Sequence, residues 1–130
     1  MTIDRHAVHS DRAPAAVGPY SQAVQVGDQL FCSGQIALEP ASGELVPGGF
    51  AAQAARVLDN LEAVVDAAGM SFADVVKVTI YLTDLENFGE LNRLYAGKFS
   101  EPYPARATVG VSALPKGALV EMDLVAVRAG

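Results

Sequence analysis

The chain has one cysteine, Cys32, and two histidines, His6 and His9, both within its first nine residues. A single thiol cannot form an internal disulfide, so a reducing cytosol is the expected setting. Inside the apolar run Leu30-Phe31-Cys32 that thiol reads as a buried structural residue. With so few thiols and imidazoles there is no Cys/His metal spacing, no HExxH and no basis for a Ser-His-Asp triad in the core. Neither a P-loop nor a Gly-x-Gly-x-x-Gly motif occurs. No window holds the roughly 20 apolar residues of a membrane span. The first ten residues, with Asp4, His6 and His9, lack the apolar stretch of a signal peptide. Basic residues are also few: nine Lys and Arg stand against fifteen Asp and Glu, a net charge of −6. They are scattered and not interleaved with aromatics, so nucleic-acid binding is not expected. Any catalysis must then fall to Arg, Glu, Tyr, Ser, Asn and backbone groups.

What is present is apolar material: 51% of the 130 residues are hydrophobic, enough for one domain with a proper core. Residues 1–12 are polar and read as a loose arm or an edge segment ahead of a single domain over residues 13–130. Residues 23–26 and 30–33 flank Gly27-Asp28, a plausible hairpin turn. Residues 39–49 contain two prolines and three glycines and read as a loop. A helix is expected over 50–68, where Phe50, Ala54, Val57, Leu58, Leu61, Val64, Val65 and Ala68 recur at helical spacing and Gly69 supplies the stop. Val76, Val78, Ile80 and Leu82 alternate with polar or amphipathic residues, the period of a half-buried strand. Asn87 with Glu90 suggests a capping box opening a second helix, with Phe88, Leu91, Leu94, Tyr95 and Phe99 as its apolar stripe and Pro102 and Pro104 ending it.

Two further β-type runs follow, residues 106–111 and 120–127. Read as adjacent strands, they bring the guanidinium of Arg106 and the carboxylate of Glu121 to one region. In the last strand Val125 and Val127 share a side with Glu121 and Asp123, opposite Val120, Met122, Leu124 and Ala126. A strand apolar on both faces is buried on both, so one face can meet the helices and the other needs a partner. The expected order is ββαβαββ, an α+β sheet with both helices on one face.

Arg106 offers a rigid fork of donors that matches a carboxylate and stays charged at any relevant pH. The plainer reading is an interface salt bridge with Glu121 or Asp123. Glu121, mid-strand, is either such an ion-pair partner or an acid/base that directs water. Asp123 reads as a structural or interface charge. Tyr20 follows the turn Gly18-Pro19 and either projects a phenol into a cleft or sits at an interface. Ser33-Gly34 ends an apolar strand, and the Gly34 N–H and Ser33 hydroxyl could donate to an anion or merely close the strand.

Residues 104–122, PARATVGVSALPKGALVEM, resemble the C-terminal signature of the reactive intermediate deaminase family (RidA/YjgF). Residues 13–23, APAAVGPYSQA, are similar to its N-terminal motif, 33–36, SGQI, to its second, and 92–95, NRLY, fall where the family has its asparagine. Four motifs in order make a strong signal. The resemblance implies a chorismate-mutase-like fold assembled as a homotrimer around a central barrel, with sites at subunit interfaces. It implies a 2-iminobutanoate/2-iminopropanoate deaminase-type hydrolase, converting 2-enamine or 2-imine acids such as 2-aminoacrylate to 2-keto acids and ammonia without a cofactor. Arg106 would then hold the substrate carboxylate, assisted by Gly34. Glu121 would direct water and shuttle a proton, while Tyr20, Ser33 and Asn92 complete the catalytic set. Thr108 departs from the pattern, since the family often has cysteine there. Alternation puts it on the face of Arg106, where it could line the pocket, but it offers no thiol chemistry. A non-catalytic binder of keto acids is the alternative; the translation-inhibitor or ribonuclease role described for some family members fits the acidic balance poorly.

Overall fold

The computed structural model describes residues 3–129. Six strands form one sheet: β1 (His6–Val8), β2 (Ala23–Val26), β3 (Gln29–Gln35), β4 (Val75–Leu82), β5 (Ala105–Gly110) and β6 (Val120–Val127). Two helices, α1 (Phe50–Ala67) and α2 (Phe88–Ala96), complete a mixed α+β domain. The sheet order is β1-β2-β3-β6-β4-β5, with β4 and β5 parallel and every other pair antiparallel.

The hairpin and the first helix form for the reasons their residues dictate. Gly27, at φ 58, makes the tight turn between Val26 and its partner Gln29. Helix α1 buries Phe50, Ala54, Val57, Leu58, Leu61, Val64 and Val65, spaced three or four apart, against β3 and β6. It ends in a Schellman arrangement: Met70 N donates to Val65 O (3.1 Å) and Gly69 N to Asp66 O (2.9 Å), with Gly69 at φ 74. Buried Asn60 binds the helix to the segment after β3, its Nδ2 donating to the carbonyls of Ile36 (3.3 Å) and Leu38 (3.0 Å).

Residues 6–8, in the segment read as a loose arm or an edge segment, form an edge strand on β2, so the observed order has one strand more than the expected ββαβαββ. Three further expectations are corrected. Val76 is exposed, because a bulge between Val75 and Lys77 turns the pleat and hands the inward position to Val75. Asn87 makes no side-chain cap; Asp84 Oδ1 instead accepts from Glu86 N (3.0 Å) and caps the short turn Leu85–Asn87 that precedes α2. That helix stops at Ala96, before the prolines.

The strand register fixes the two faces. Leu30, Val78, Ile80, Leu82, Val120, Met122 and Leu124 point at the helices and make the core. The other face bears Phe31, Thr79, Tyr81, Glu121, Asp123 and Val125 and carries no helix. Phe31 is 44% exposed there, an unusual setting for a phenylalanine in mid-strand.

Candidate functional site

Arg106 and Glu121 do not lie on neighbouring strands. β4 runs between β5 and β6, and Arg106 pairs with Val78, which faces Leu124, three residues along from Glu121. Two strand spacings and three residues separate their backbones by roughly 14 Å. Paired residues share a side, so Arg106 projects with Val78 toward the helices, whereas Glu121 projects with Tyr81 onto the open face. The expectation that the two strands are adjacent and bring Arg106 and Glu121 to one region fails, because β4 lies between them, parallel to β5 and antiparallel to β6.

The candidate residues divide into two groups. The first surrounds a cavity of about 320 Å³ lined by Asn92, Tyr95 and Ala96 of α2, by Tyr103 and Pro104, and by Arg106. Phe88, Asn92 and Tyr95 stand at i, i+4 and i+7, one face of α2. The Arg106 guanidinium carbon lies 4.9 Å from the Tyr95 ring centroid and 5.4 Å from that of Phe88. Among the described residues no carboxylate is within ion-pair distance of it. The plain salt bridge is therefore not formed within the chain, and a planar cation remains available to an anion.

The second group lines a cavity of about 620 Å³ and includes Tyr20, Gln22, Gly34, Lys116 and Glu121. Gly18, at φ 128, forms a tight turn in which Tyr20 N donates to Gly18 O (2.9 Å), folding the phenol back so that its oxygen accepts from Val17 N (3.3 Å). A register shift between Cys32 and Gln35 sets Gly34 against Glu121. A Cβ at position 34 would collide with Glu121 Oε2 and lie 3.0 Å from its Cδ, so only glycine leaves room for this carboxylate. Burial, and then the neighbouring Asp123, hold the Glu121 carboxyl above the usual carboxylate range. Asp123 itself accepts from Tyr81 Oη (3.0 Å), which raises the Tyr81 phenol, as befits a structural charge. At the rim, Lys116 takes a left-handed φ of 59 and its Nζ donates to Gly43 O (3.3 Å).

Ser33 and Thr108 line neither cavity. Ser33 Oγ donates to Ser21 O (2.6 Å) and Ser33 N to Gln22 O (2.9 Å), so its proton is committed to holding the Tyr20 segment beside β3. Thr108 shares the face of Arg106, and its Oγ1 is buried without a hydrogen-bond partner among the described residues. Cys32 is buried, its thiol pushed up to about 12 by burial and by Asp123. Sequence periodicity assigns Phe88 and Tyr95 only to the apolar stripe of α2; their shared helical phase with Asn92 is the signal that they border the arginine.

A family model described as Endoribonuclease L-PSP matches residues 10–128. Protein DfrA of Myxococcus xanthus is 56% identical over 125 residues, 95% of each chain. The mouse protein named 2-iminobutanoate/2-iminopropanoate deaminase is 46% identical over 127 residues, 98% of this chain and 94% of its own. Among solved structures, RidA from an Antarctic Psychrobacter superposes with a TM-score of 0.91 at 49% identity, covering 95% of this chain and 99% of that one. E. coli TdcF with bound serine gives 0.89 at 39% identity, with coverage of 95% and 99%. On these matches and the four motifs, the chain belongs to the Endoribonuclease L-PSP family, the RidA/YjgF group.

Proposed function

We propose that the protein hydrolyses reactive 2-imine and 2-enamine acids, such as 2-aminoacrylate, to 2-keto acids and ammonia. The observation that carries this reading is the Arg106 guanidinium, held against two rings, without an ion-pair partner among the described residues and lining a cavity with room for a small carboxylic acid. The deaminase names of mammalian relatives at 46% identity point the same way.

The chemistry asks little of the protein. The enamine tautomerises to the imine, water adds to C2, the nitrogen gains protons, and the C–N bond breaks to release ammonia and leave the keto acid. Arg106 clamps the carboxylate and fixes C2 for attack. Glu121 takes a proton from water and returns it to nitrogen, a task suited to a carboxyl whose pKa is raised toward the working pH. Gly34 assists at the carboxylate, Asn92 and Tyr20 shape the pocket, and Ser33 holds Tyr20 in place; the Thr108 hydroxyl, buried outside both cavities, takes no step in this scheme. Every residue invoked is a side chain or backbone group of this chain, and the scheme uses no metal or organic cofactor.

Since Arg106 and Glu121 face opposite sides of one sheet, the complete site would be assembled between copies. In this reading the chain forms a chorismate-mutase-like homotrimer around a central barrel, Arg106 and Asn92 of one protomer meeting Tyr20, Gly34 and Glu121 of its neighbour. The open sheet face with exposed Phe31 and Val127 supports such packing. A cytoplasmic setting fits the buried, free thiol of Cys32.

A second reading, a binder of small carboxylate metabolites without turnover, is favoured by TdcF having been solved with bound serine. For the nuclease suggested by the family model's description, His6 and His9 are poorly placed, exposed beside Asp4 and Asp11 and outside both cavities. The deciding experiment generates 2-aminoacrylate from serine with a pyridoxal-phosphate dehydratase and follows its loss, with pyruvate titration in parallel. An enzyme accelerates the loss, and Glu121→Gln abolishes turnover but keeps binding. A binder gives no acceleration, and Glu121→Gln tightens pyruvate by removing a negative charge.

A further inference from the structure

We infer that Tyr95 is a positioning residue for the carboxylate clamp, its ring face fixing the Arg106 guanidinium in the orientation that a substrate carboxylate meets. This rests on the imine-acid reading above and adds a residue to it. Three rings form a continuous column from the core to the cation. Phe72 stacks on Phe99 with centroids 4.6 Å apart and planes 6° from parallel. Phe99 stacks on Tyr95 at 4.4 Å and 30°, and the Arg106 guanidinium carbon lies 4.9 Å beyond, over the Tyr95 face. Tyr95 is 5% exposed and cannot swing, whereas Phe88, on which the cation also rests, is 41% exposed.

An aromatic face suits this role better than a carboxylate would. A carboxylate partner would occupy the N–H fork that the substrate needs. A ring attracts the flat face of the guanidinium through its quadrupole and leaves the N–H edge open. The Tyr95 hydroxyl does not anchor the ring, because its oxygen is buried with no hydrogen-bond partner among the described residues. The stacked column anchors it, so the electron density of the ring face is the property that matters.

Fluorination tests this without changing size. Tyr95→Phe serves as the reference, and mono-, di- and trifluorophenylalanine are incorporated at the same position. Each fluorine drains the ring face while the column still packs. With 2-aminoacrylate as substrate, KM rises stepwise with fluorine number, to about tenfold across the series, while kcat moves less. A merely structural role for Tyr95 would lower the active fraction and leave KM flat. If the wild type is active and KM does not change along the series, the proposal is overturned and the deaminase reading stands. If the wild type shows no turnover, the deaminase reading falls, and the series is read as pyruvate affinity. A stepwise weakening then supports the role of Tyr95; a flat series or no pyruvate binding overturns it.

Discussion

Gly34→Ala adds one methyl group where Glu121 already stands. The backbone tolerates it, since Gly34 is not among the glycines with positive φ. The obstruction is the Glu121 carboxylate: the new Cβ would meet Oε2 and sit 3.0 Å from Cδ and 3.3 Å from Cγ. Because that carboxylate ends a flexible side chain, it retreats, by about 1 Å, until ordinary van der Waals contact returns. A displacement of that size at a group that positions water costs about 100-fold in rate. Stability changes little: alanine restricts the unfolded chain by about 0.4–1 kcal/mol in favour of folding, set against the moved carboxylate. In the coupled 2-aminoacrylate assay, Gly34→Ala therefore loses about two orders of magnitude in kcat/KM while melting within about 5 °C of wild type. Combined with Glu121→Gln it adds no further loss, because both changes act on one group. Wild-type activity in Gly34→Ala, or full additivity in the double variant, would refute the placement of Glu121 at the reacting centre.

Two other outcomes follow from burial. The native Glu121 carboxyl binds its proton more tightly than its ordinary value of 4.5 allows. The native state thus holds more protons than the unfolded one between that value and the raised one, and this residue's contribution to stability falls as pH rises through that window. Melting of Glu121→Gln measured against wild type across the window should show the difference growing with pH and levelling above it; a constant difference would contradict the shift. Cys32, buried and pushed up to about 12, should resist thiol reagents at neutral pH in the folded protein and react once denatured, followed by the release of a chromophoric thiol.

The parts legible in the sequence are those set by local chemistry. Gly27 and Gly69 announced a hairpin turn and a helix stop because only a positive φ satisfies them. The three-and-four spacing of α1 needed no partner to be read. What stayed hidden depends on neighbours. Val76 alternates correctly in sequence, yet a bulge makes Val75 the buried residue, and bulges leave no periodic trace. Asn87 has the right chemistry for a cap, but Asp84, three residues earlier, takes that place in the turn leading into α2. The insertion of β4 between β5 and β6 is a choice of strand pairing over long range, so the separation of Arg106 from Glu121 could not be read from two strands consecutive in the chain. Tyr95 fits an apolar stripe and a cation cradle equally well, and only the position of Arg106 tells them apart.

The most direct test of a composite site is subunit mixing. Arg106→Ala and Glu121→Gln are purified separately, each expected to be inactive in the coupled 2-aminoacrylate assay, then unfolded together in equal amounts and refolded. If Arg106 and Glu121 act across an interface between copies, about one quarter of the sites in the mixture pair an intact arginine with an intact glutamate, and about one quarter of wild-type activity returns. If mixing restores nothing beyond the sum of the two variants refolded alone, the residues do not meet between chains and the account of this site is wrong.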